Sequence, residues 1–202
     1  MRNTNQKIFR MVRLAMLIAL VVVLQIISAM MPKVGGVSIT LTLVPVVVGA
    51  ILFGVSGGAL LGFAFGAIVL INCITALDPG GNILWTINPL FTALICFVKG
   101  TAAGVVPALL YRLVRGEKGA GDTRKYVAGL VAAMSAPVVN TGLFVGGMFL
   151  FFKDTLYLWA GETAMFTYIL LGLAGVNFLV EFVINIILTP AIVRIVAVVG
   201  KK

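Results

Sequence analysis

Residues 126–152 contain no charged side chain, and apolar runs of this kind recur along almost the whole chain. About 20 consecutive apolar residues cross a bilayer as a helix. Lipid offers the backbone no hydrogen bonds, so a spanning segment has to satisfy its own N–H and C=O groups. With 61% hydrophobic and 10% charged residues among 202, and a mean hydropathy of +1.18, an ordinary soluble domain is excluded. The length holds roughly five to seven spanning helices and no separate soluble domain. The expectation is an all-α integral membrane protein forming a single membrane domain over residues 1–202.

Six spans are expected, at about 10–31, 39–53, 58–76, 89–111, 126–152 and 163–199. The first is read as an uncleaved helix and not a signal peptide. Its apolar core is longer than a signal core, and Ser28-Ala29-Met30 is a poor cleavage site. The second is short and carries Pro45, and Gly54-Val55-Ser56-Gly57 turns the chain into the third. The last exceeds a bilayer's need, so it tilts or begins in the preceding loop. Fusing the second and third spans is the rival reading, and charge argues against it. Twelve of the 15 Lys and Arg lie ahead of the first apolar run (Arg2, Lys7, Arg10, Arg13), in the loop at 112–125, or toward the C-terminus (Arg194, Lys201, Lys202). With six spans all three clusters share one side, as the positive-inside rule expects, and both termini are cytoplasmic. The net charge of +9 is then topological and lipid-facing, and is not a nucleic-acid signal. The outer connections at 32–38, 77–88 and 153–162 are expected to be loops.

Against this apolar background, Lys99 and Glu181 stand inside spans. An ionisable side chain there is expensive and points to a functional site or a partner. Both spans run in one direction and place the two residues at similar depth. They form either an ion pair that orients helices or part of a polar pocket, and the sequence leaves both open. Asn177, Glu181 and Asn185 recur every four residues on one helix face. Asn140 follows Pro137, whose ring frees a carbonyl in that helix.

Chemistry of other kinds is poorly supported. His is absent, which removes the commonest acid–base residue and metal ligand. No phosphate-binding G-x-x-x-x-G-K-[ST] run occurs, and only one carboxylate lies in a span. Cys73 and Cys96 read as small buried hydrophobes. The chain is therefore not expected to be an enzyme, and no cofactor or metal is implied. Gly54, Gly58, Gly62 and Gly66 line one helix face, where another backbone can approach closely, and Ala15-x-x-x-Ala19 is a helix-association pattern that also arises from internal packing.

Taken with the six-span plan, these motifs resemble the substrate-binding S component of energy-coupling factor (ECF) vitamin transporters, over essentially the whole chain. Ala15-x-x-x-Ala19 is similar to the motif with which that family docks on its transmembrane coupling subunit. Leu43-Val44-Pro45 through Leu52-Phe53-Gly54 to Gly58-x-x-x-Gly62 looks like the family's span-two to span-three hairpin, with Val55 where a proline is usual. The resemblance implies capture of a water-soluble vitamin from outside, and delivery inward with a coupling subunit and a pair of ABC-type ATPases in a prokaryotic cell membrane. It makes Trp85, Asn88, Lys99, Asn140 and Asn177 candidate pocket residues, with Glu181 at or below the pocket, and puts Lys33, Val34 and the following glycines in a lid-like first loop. A buried lysine suits a carboxylate-bearing vitamin, so pantothenate ranks first, then folate, riboflavin or cobalamin. The alternative is a self-sufficient secondary transporter or channel.

Overall fold

The computed structural model describes residues 2–30, 41–116, 121–173 and 175–199, with side chains for all of these except 2–6, 170, 172, 173, 176, 177, 192 and 194–199. The first loop, with Lys33 and Val34, lies outside the described residues. Regular structure among them is entirely helical: α1 (Arg2–Met30), α2 (Leu43–Ile74), α3 (Pro79–Ile87), α4 (Pro89–Arg115), α5 (Asp122–Phe151), α6 (Lys153–Ala160), α7 (Met165–Thr167), a π-helical segment (Tyr168–Leu173) and α8 (Gly175–Val199). Helices α1, α2, α4 and α5 are each long and apolar enough to cross a membrane, and α8 carries a shorter apolar stretch, Phe178–Ala191.

α2 is broken at Gly54, whose φ of 72° and ψ of −161° are not helical. The break reverses the chain. Leu61 fills the space a Cβ on Gly49 would take, and a Cβ on Gly58 would lie 3.0 Å from that of Ala50. In a straight helix residues 49 and 61 would stand about 18 Å apart. The two limbs of α2 are therefore a helical hairpin, packed through Leu43, Val46, Leu61 and Phe65.

The second limb lies against α4 with almost no side chain between the backbones. A Cβ added at Gly58 would meet the carbonyl of Gly104, at Gly62 that of Gly100, and at Gly66 that of Cys96. One set of positions descends as the other ascends, so the helices are antiparallel. Since apolar surfaces gain little by leaving lipid, such close approach is what holds membrane helices together. α5 packs on α4, and α8 packs on α5 and α2.

Three contacts place the basic residues at one end of this bundle. Arg10 donates from Nη2 to Ser56 Oγ at 3.2 Å, beside the Gly54 turn. The Gly58–Gly104 contact sets the far end of α4, with Arg112 and Arg115, at that same turn. Arg124 Nε donates to the Val114 carbonyl at 2.8 Å.

The opposite end corrects the expectation of loops at 77–88 and 153–162, which hold α3 and α6. Pro79 in the first turn of α3 suits a helix start, and Asn82 Nδ2 donates to the Cys73 carbonyl at 2.8 Å, tying α3 to the end of α2. In α6, Leu156 and Ala160 follow Phe152 at helical spacing and all three are buried. Gly161, at φ 57°, then stops the helix. The expected long last helix is likewise divided, into α7, the π-helical segment and α8.

Candidate ligand site beneath two short helices

A cavity of about 40 Å³ lies at the end of the bundle closed by α3 and α6. α2 contributes Val69 and Cys73 to its wall, α4 contributes Thr92, Cys96 and Lys99, and α5 contributes Phe144. Asp78 and Leu84 line it from the α3 side and Trp159 from α6. Cys73 and Cys96 are both buried free thiols, and both line this cavity, one from α2 and one from α4.

Lys99 is the cation of this cavity. Its Nζ stands 5.0 Å from the centroid of the Phe144 ring, a cation–π contact that partly replaces lost hydration. Lys99 and Glu181 do not come within the 4 Å of an ion pair. Of the two arrangements that the sequence leaves open, a direct pair is not the one adopted.

The other sequence candidates are spread over several places. Trp85, on α3, is half-buried and packs on the core between α1, α2 and α4. Asn88 caps α4, its Oδ1 accepting from the Phe91 N–H at 3.1 Å, and Pro89 follows at the first helical position. Its side-chain oxygen is thus committed to the helix end. Asn140 lies one turn deeper than Phe144 on α5, 6% exposed, and its Oδ1 has no hydrogen-bond partner among the described residues. Glu181, 4% exposed, lies on α8, where Asn185 Nδ2 donates to its carbonyl at 2.8 Å. Asn177 is near the start of α8 and its side chain lies outside the described set. Ala15 and Ala19 are exposed on α1, so they are not internal packing contacts.

Sequence reasoning missed Asp78, Thr92, Phe144 and Trp159 as wall residues. None carries a pattern of its own, and only the folding of α3 and α6 over the bundle brings them together. The combination of an ammonium, two aromatic walls and a nearby carboxylate offers a binding surface for an anionic or carbonyl-bearing solute. No group of three potential metal ligands occurs among the described residues.

A family model described as the substrate-specific component of ECF transporters matches residues 9–193. The pantothenic acid transporter PanT of Lactococcus lactis subsp. cremoris (strain MG1363) is 29% identical over 190 positions, covering 89% of each chain. No solved structure matches.

Proposed function

The chain belongs to the ECF transporter substrate-specific component family, and on that premise we propose that it captures pantothenate outside the cell and passes it inward. A membrane coupling subunit and a pair of ABC-type ATPases supply the energy. Membership makes the chain a multi-pass membrane protein of vitamin uptake. The name of the Lactococcus relative, a pantothenic acid transporter, supports pantothenate over folate, riboflavin and cobalamin.

The observation that carries the substrate reading is Lys99 on the cavity wall beside Phe144. An ammonium on the wall of a site with few waters pairs strongly with a carboxylate. Phe144 and Trp159 suit the apolar part of a small vitamin. A cavity of about 40 Å³ holds only a few waters. Binding therefore moves α3 and α6 outward and closes them again over the ligand. Asn140, Asn177 and Glu181 are the further residues assigned here to ligand contact. Exposed Ala15 and Ala19 on α1 support docking to the coupling subunit there. The six crossings are α1, the two limbs of α2, α4, α5 and α8, with the basic end in the cytoplasm of a prokaryotic cell.

Titration of the purified protein with the four vitamins tests this reading. Saturable pantothenate binding that the other three do not displace is expected, together with no flux in proteoliposomes holding this chain alone. Preference for another vitamin overturns the substrate, and flux from this chain alone overturns the energised mechanism.

A further inference from the structure

A second depression lies at the basic end of the bundle, remote from the vitamin cavity. It is an open groove of about 450 Å³ lined by Phe9, Arg10 and Arg13 from α1 and by Leu52 and Phe53 just before the Gly54 turn. Arg10 and Arg13 are three residues apart and so share a helix face. Arg10 is held toward the turn by its bond to Ser56 Oγ at 3.2 Å. Among the described residues no carboxylate lies within 4 Å of either guanidinium. The groove is also half apolar, and α1 continues from it as an exposed hydrophobic face through Val12, Met16 and Leu20.

We infer that this groove binds one anionic phospholipid, its phosphate held by Arg10 and Arg13 and its acyl chains lying along Phe9, Leu52 and Phe53. Two guanidinium forks match phosphate oxygens in geometry as well as charge. Cations at one end of an apolar trough match an amphiphile, whereas a soluble anion has no use for the trough. The inner leaflet, where basic bundle ends reside, is the anionic one. The site is independent of the vitamin reading.

Native mass spectrometry of the detergent-purified protein, titrated with phosphatidylglycerol or phosphatidylethanolamine, tests the inference. Wild type is expected to retain one phosphatidylglycerol at least fivefold better than phosphatidylethanolamine, and R10Q/R13Q to lose that preference. R112Q/R115Q, which removes the same charge from the same end outside the groove, is expected to keep it. Equal loss in both double variants would mean diffuse surface attraction and would overturn the site. Displacement of the lipid by millimolar inorganic phosphate would reduce it to a simple anion site, again against the proposal. Unchanged lipid retention in R10Q/R13Q with lost co-purification of a coupling subunit would make the groove a protein interface instead. A single symmetric size-exclusion peak and an unchanged melting temperature serve as the folding control. If R10Q/R13Q fails it, R13Q alone is used, since Arg13 makes no hydrogen bond among the described residues, and is expected to lose part of the preference. Full preference in R13Q would contradict the proposal.

Discussion

Gly58 and Gly104 face each other backbone to backbone, and a Cβ on either would run into the carbonyl of the other. This contact, repeated at Gly62–Gly100, sets the second limb of α2 against α4 and thereby places Cys73 beside Cys96 and Lys99 on the cavity wall. Gly58→Leu is expected to force the helices apart at a cost of about 1–3 kcal/mol or more, seen as a clear fall in melting temperature in detergent. Gly142→Ala is the control: nothing lies within 4 Å of its Cβ position, and the change is expected to be neutral or mildly stabilising. Equal effects from the two would remove the packing explanation.

Gly54 is required for a different reason. No atom lies within 4 Å of its Cβ position, yet its φ of 72° with ψ of −161° belongs to a backbone region essentially reserved for glycine. Gly54→Ala is expected to cost about 1–3 kcal/mol through backbone strain alone. Unfolding of Gly54→Ala against Gly54→Val would check this, since the penalty should be present already with the methyl group.

The polar contact between α1 and α2 can be tested at Thr42, which donates from Oγ1 to Gln25 Oε1 at 2.7 Å with both residues buried. Thr42→Val keeps the shape and removes the donor. A loss of about 0.6–1.7 kcal/mol is expected, the range for interhelical hydrogen bonds in membranes, and a thermal melt reads it directly.

Asn88 separates capping from ligand contact. If its Oδ1 serves the Phe91 N–H, Asn88→Ala costs about 1 kcal/mol of stability and changes pantothenate affinity by less than about threefold, under 0.7 kcal/mol. A large affinity loss at unchanged stability would return Asn88 to the pocket.

The membrane class and the long helices were legible because bilayer thickness imposes a length of apolar sequence that composition cannot hide. The glycine face of α2 was also readable, since a four-residue repeat of the smallest residue has few uses besides close packing. The break at Gly54 was expected from Gly54-Val55-Ser56-Gly57, and the hairpin it makes follows from positive φ. The short helices α3 and α6 were not legible. Each is only two turns long, too brief for apolar periodicity to stand out, and they become helical by laying Leu84, Phe152 and Leu156 on one shared cluster. The separation of Lys99 from Glu181 was hidden too, because equal depth on two helices says nothing about which helix stands between them. Here α5 packs against both α4 and α8.

The pairing of Lys99 with a carboxylate is the centre of the functional account, and a two-by-two binding cycle measures it. Wild type and Lys99→Met are each titrated with pantothenate and with its analogue whose carboxylate is reduced to a primary alcohol. A charge-assisted hydrogen bond contributes about 1.5–3 kcal/mol, so Lys99→Met should weaken pantothenate by roughly 10- to 150-fold and leave the alcohol nearly unchanged. Equal weakening of both ligands, or unchanged pantothenate affinity in Lys99→Met, would contradict the assignment.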